Sequence, residues 1–310
     1  MNDIKTIIEA RQIAASMSIT EERLSLLTGE SLKAILERKG PAEFYIDYVE
    51  YVADICHTYG IGIELTSTEP VTAGALEPYA DQIDGILSNN KIRIRRAHLP
   101  FQEVRIGYAN PGLRNSSLRQ LKAWIELFQR LGVSVAVIHP IGSMIGGRYG
   151  RALELSNRDS ALADLKMLKK AAESCGIILA VEILPASRTH TTMGFDDQME
   201  TAYSESLAYT TIPEMRFLAS EGFQLVLDSL HLRASGHPVR EWEEAGLFDD
   251  GSTVLAHFSG GTIRHKCIGQ EEVDLFKRLP KGISVTLEPF SLADLQASLK
   301  KLGLSPQNSH

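Results

Sequence analysis

Cysteine is scarce: the chain of 310 residues carries only Cys56, Cys175 and Cys267, odd in number and widely spaced. Such spacing excludes a disulfide framework and a thiolate zinc motif, and reduced thiols of a cytoplasmic protein are expected. A basic surplus is also lacking. The net charge of −7 supplies no general field for a polyanion, which disfavours nucleic acid as the partner. Long apolar runs are missing too, none approaching the ~20 residues that span a bilayer. The N-terminal MNDIKTIIEARQIAAS mixes charge into its apolar residues and has no signal-peptide core. These absences predict a soluble, cytoplasmic chain with no membrane partner.

Hydrophobic residues at 44% and charged residues at 23% suit a globular fold with a large core. Short apolar, β-branched runs recur along the chain: IAASMS from Ile13, IGIELTS from Ile61, IRIRRAH from Ile92 and SVAVIHP from Ser134. IILAVEIL from Ile177, FQLVLD from Phe223, TVLAHFS from Thr253 and ISVTLEP from Ile283 complete eight predicted strands. Between them lie segments with helical spacing, three of which end in glycine at Gly60, Gly132 and Gly176, a helix-stop signal. Eight such units without a break in composition predict an α/β fold, a (β/α)8 TIM barrel spanning 1–310 as one domain. A doubly wound open sheet shares the strand count and is the alternative. Residues at about 19–43 exceed what one helix needs and are expected to form a helical elaboration.

The ionisable residues are unevenly placed on this frame. His98, His139 and His257 fall at or near strand C-termini, His231 and His265 just beyond, and Glu182, Asp228 and Glu288 end apolar runs. In a barrel every strand C-terminus opens on one face, where active sites of this architecture lie. Single strand-end histidines or acids are commonly structural residues or helix caps. Eight on one rim predict a divalent-metal centre, because a cation relieves the cost of partly buried carboxylates. Imidazole and carboxylate without thiolate suit Mn²⁺, Zn²⁺, Co²⁺ or Mg²⁺.

The motifs HLPF at His98, VIHPIGS at His139, VEI at Glu182 and LDSLHL at Asp228 and His231 resemble those of the xylose isomerase-like TIM barrels. AHFSG at His257, HKCIGQ at His265 and LEP at Glu288 continue the resemblance in the same order. This superfamily holds sugar phosphate isomerases and epimerases together with endonuclease IV. The resemblance implies a single divalent ion on Glu182, Asp228, His257 and Glu288, with Glu182 and Glu288 as the acid–base pair beside a polarised carbonyl. The implied substrate is a sugar, sugar phosphate or similar polyol. His98, His139, His231 and His265 are implied as additional metal or substrate ligands, and Arg264 as a substrate contact.

Endonuclease IV needs a ninth ligand, an aspartate two places before His265, and Ile263 stands there instead. Zinc-dependent phosphodiester cleavage of abasic DNA is therefore the second enzymatic reading. Dehydratase or lyase chemistry on a related polyol is a third, and a ligand-binding barrel without turnover is the non-enzymatic one. Strand parity with His98 turns Arg96 inward, where it would bind a substrate phosphate or carboxylate, unless a bulge turns it out. Glu64 shares the strand-end position and is a candidate substrate contact. The glycine-rich stretch after the fourth strand, with Arg148 and Arg151, is read as a solvent-exposed loop or lid. Barrels of this kind often associate, which leaves a homo-oligomer open.

Overall fold

A computed structural model describes residues 12–17, 39–67, 71–101, 104–140, 144–145, 148–149, 158–184, 211–261 and 265–307. Eight parallel strands close on themselves: β1 (Ile13–Ser16), β2 (Gly62–Thr66), β3 (Arg95–His98), β4 (Val135–Ile138), β5 (Ile178–Glu182), β6 (Gln224–Asp228), β7 (Thr253–Phe258) and β8 (Ser284–Leu287). Ile13, Ala14 and Ala15 of β1 pair with Val285, Thr286 and Leu287 of β8, so the sheet has no edge. That closure excludes the open doubly wound sheet. The eight strands fall within the eight apolar runs of the sequence, and the protein is a TIM barrel. The expected helical elaboration at about 19–43 lies outside the described residues as far as residue 38.

Helices return the chain between strands: α1 (Pro41–Tyr59), α2 (Ala80–Asn89), α3 (Pro111–Arg130), α4 (Arg158–Ser174) and α5 (Ile212–Ser220). After β6 come the short α6 (Ser229–Ala234) and a turn of helix at Arg240–Glu244, then α7 (Gln270–Arg278) and α8 (Leu292–Lys301). The glycine stops behave as read. Gly60 takes φ 64°, where a side chain would be strained, and its N–H closes α1 onto the carbonyls of Cys56 and His57.

The main apolar core lies between the strands and the helices. A second cluster of Val137, Ala180, Val226 and Leu255 fills the barrel interior on the side of β4 to β7. Each of these residues stands two places before His139, Glu182, Asp228 or His257, so parity turns those four to the same inner face. The match at β7 depends on a register irregularity: Leu225 pairs with Thr253 but Val226 pairs with Leu255, leaving Val254 extra. This bulge puts His257 level with Asp228. Without it Asp228 would face Ala256, and a one-residue slip sends side chains to the opposite face.

Candidate metal centre

Glu182 is the hub. It ends β5 almost fully buried, and its Oε2 accepts from His98 Nε2 and His139 Nε2, each at 3.0 Å. Its Oε1 accepts from His257 Nδ1 at 3.0 Å, and His231 Nδ1 lies 3.6 Å away. Burial alone raises this carboxyl, but the charge of His257 and the hydrogen bonds from His139, His257 and His98 hold it well below its ordinary value.

Asp228 ends β6 because its side chain starts the next helix. Oδ1 accepts from His231 N at 2.6 Å, an N-cap that makes strand and helix meet without a loop. That turn carries His231 back towards the rim, with Nδ1 4.0 Å from Asp228 Oδ1. The other oxygen, Oδ2, is buried and has no hydrogen-bond partner. Burial raises the Asp228 carboxyl, the charge of Glu182 adds to it, and His231 and His257 oppose.

His257 is fully buried, with Nδ1 3.5 Å from Glu288 Oε2 and Nε2 3.2 Å from Glu64 Oε2. Burial pushes the imidazole down, yet the charges of Glu288, Glu64 and Glu182 overcome it and keep it protonated well above its usual range. Glu288 follows β8 and is pushed up to about 7, first by burial and then by the neighbouring carboxylates, against the pull of His257. One ligand atom from each of Glu182, Asp228, His257 and Glu288 lies within 4.8 Å of the other three, as does a second set from His98, His139 and Glu182. Two buried acids raised by their neighbours, Asp228 and Glu288, stand beside the ionised Glu182 with an orphaned oxygen at Asp228, an arrangement that suits a cation, and oxygen and imidazole donors fit a divalent ion.

The histidines divide into charged and neutral. His98 Nδ1 donates to Leu99 O at 2.7 Å and His231 Nδ1 to Ile183 O at 2.8 Å, so a main-chain carbonyl fixes one nitrogen of each ring. Burial lowers both, but nearby carboxylates raise them beyond their ordinary value. His139 shares the same Glu182 oxygen as His98, with ring centroids 4.8 Å apart. Two imidazolium ions this close repel, and His139 is lowered to about 4, first by burial. His265 stands at the rim with Nδ1 3.8 Å from Glu288 Oε2, its ring against Phe290 at 4.5 Å. Phe101 covers His139 in the same way at 4.8 Å.

Two residues expected as substrate contacts are deeply buried. Arg96 does point inward, but it is 1% exposed and donates to Val285 O, Gln12 O and Thr286 Oγ1. Glu64 is 0% exposed, against Nε2 of His257. Arg264, Ile263, Arg151 and the side chain of Arg148 lie outside the described residues. Sequence reasoning passed over Thr286, Phe101 and Phe290. Thr286 had a signal, since it stands two places before Glu288 on the same face.

The family model of the xylose isomerase-like TIM barrel matches residues 53–304. No curated protein matches by sequence. Among solved structures, a D-tagatose 3-epimerase-like protein aligns with TM-score 0.61 and 15% identity over 94% of this chain and 96% of its own. The 3-keto-D-glucoside 4-epimerase from E. coli aligns with TM-score 0.60 and 15% identity over 94% and 98%. The IOLI protein, solved with a zinc atom, aligns with TM-score 0.55 and 15% identity over 94% of each chain. At these identities the likeness is one of fold. With the family model covering most of the barrel, the chain belongs to the xylose isomerase-like TIM barrel family.

Proposed function

We propose that the protein is a divalent-metal-dependent isomerase or epimerase of a sugar or sugar phosphate. The observation that carries this reading is the convergence of Glu182, Asp228, His257 and Glu288, with Asp228 Oδ2 unpartnered among them. These four residues would hold the ion, and a bound divalent cation supplies Lewis-acid polarisation of a carbonyl. Glu288 serves as one proton acceptor, since it follows β8 at the rim beside His265 and Phe290. It takes the proton from the carbon next to the carbonyl, and Glu182 serves the opposite side. Phe101 and Phe290 wall the rim with apolar surface beside the histidines, a surface that suits sugar C–H faces. Epimerases of sugars among the fold neighbours support the substrate class.

The test is exchange of substrate C–H with solvent deuterium across a ketose and ketose-phosphate panel, using protein loaded with Mn²⁺, Co²⁺, Zn²⁺ or Mg²⁺. Exchange that requires metal and disappears in Glu288→Gln is expected. Absence of exchange and of product with every sugar in every metal form would overturn the reading.

A second reading rests on the overlapping set of His98, His139 and Glu182. Glu182 belongs to both sets, so these residues would hold more than one ion, which would supply the charge stabilisation that hydrolysis of a phosphodiester needs. Two or more tightly held zinc ions per chain, with cleavage of an abasic duplex, would favour it.

A further inference from the structure

We propose that Glu64, held by Thr286 and Arg96, is a positioning residue that keeps His257 turned with Nδ1 towards the metal pocket. The inference rests on the metal-centre reading above. His257 is approached by acids from two sides: Glu182 and Glu288 face Nδ1, and Glu64 Oε2 faces Nε2 at 3.2 Å. Only Nδ1 opens on the cluster of ligand atoms, and Glu64 belongs to neither ligand set. A hydrogen bond from the far nitrogen of a metal-bound imidazole to a carboxylate sets both tautomer and ring orientation.

Glu64 is itself held from below. Thr286 Oγ1 donates to the same Oε2 at 2.8 Å, and the Thr286 oxygen in turn accepts from Arg96 Nη1 at 3.0 Å. Arg96 is anchored on the carbonyls of Val285 and Gln12, each at 2.9 Å. The chain thus runs from the main chain of β8 and the residue before β1, through β3, β8 and β2, to the ligand on β7. Strand register brings the members to one level in pairs: Glu64 lies level with Arg96, and His257 with Thr286. All four residues are at most 1% exposed. Glu64 Oε1 has no partner, so the acid is kept at a cost that packing alone does not explain. Burial lowers Arg96 to about 10, which leaves it charged at neutral pH and opposite in sign to Glu64.

The test uses the full chain stripped of metal, with Co²⁺ as the probe, followed by calorimetry and by proton NMR of the Co²⁺-loaded protein. Glu64→Ala is expected to weaken Co²⁺ binding by about 10–100-fold and to lose the hyperfine-shifted, slowly exchanging imidazole N–H. Glu64→Gln keeps an acceptor oxygen and the side-chain volume, so it folds if Glu64→Ala does not, and it recovers part of the affinity. Thr286→Val shifts affinity in the same direction by less. In a His257→Ala background, Glu64→Ala is expected to add no further loss. Unchanged affinity in both Glu64 variants, or an equal loss in the His257→Ala background, would overturn the inference while leaving the metal centre standing. Failure of the unmodified protein to bind any divalent ion would overturn the metal-centre reading and this inference with it.

Discussion

Glu182 touches three histidines through two oxygens, so its loss is felt in every direction. Glu182→Gln is expected to lower divalent-metal affinity by at least about 100-fold, measured by calorimetry, since the amide removes the charge shared by both ligand sets. Glu288 gives a pH prediction. Its carboxyl is raised in the fold to about 7 from 4.5, so the stability it contributes to the metal-free protein is present below about 4.5 and lost as pH rises through about 7. Comparing metal-free wild type with Glu288→Gln by denaturant unfolding, the wild type should lose ground between about pH 5 and pH 8, by on the order of 3 kcal/mol. No relative change would show that the group titrates normally. His139 runs the other way: lowered to about 4, it contributes stability above about 6.5 that is lost as pH falls through about 4.

At the scale of elements, loops beyond the strands are tied to helices and to each other. Asp164 of α4 is fully buried, accepts from Gly107 N at 2.8 Å and takes Arg114 Nε of α3 on both oxygens, each at 2.8 Å. Asp164→Ala leaves a donor and a guanidinium without their acceptor and should cost about 3 kcal/mol in urea unfolding. After β7, Gly260 and Lys266 exchange two main-chain hydrogen bonds of 3.0 Å, pinching the loop whose far end carries His265. A Cβ at Gly260 would stand 2.0 Å from the carbonyl oxygen of Cys267. Gly260→Ala must therefore move the backbone, and overpacking of this kind costs roughly 1–3 kcal/mol. The sharper readout is weakened Co²⁺ binding with the eight strands intact by circular dichroism.

For the whole molecule, a cation that binds only the folded barrel stabilises it by mass action. Metal at about 1,000 times its Kd should add about 4 kcal/mol to unfolding, and a chelator should reverse the gain. An unfolding midpoint indifferent to every divalent ion would count against the centre. Among the described residues no helix is long and apolar enough to cross a membrane.

Much of this architecture was written in short-range pattern. Eight apolar runs, the glycine stops and the strand-end position of Glu182, Asp228, His257 and Glu288 need only local periodicity to be read, because strand parity and helix termination are local effects. Asp228 was legible as a strand end, but its N-cap to His231 N, which supplies the bend, was not. Arg96 and Glu64 were legible as inward-facing strand positions, but their burial and their partners were not. How far below the rim an inward residue lies is set by barrel stagger and by side chains arriving from other strands. The bulge at Val254, the pairing of His257 with Asp228 and the descent from His257 through Glu64 and Thr286 to Arg96 all join residues far apart in the chain. Periodicity along one strand reports which face a residue takes. Partners across a closed barrel come into range only when β1 meets β8, and that closure decided which buried charges converge on one pocket and which stand beneath it.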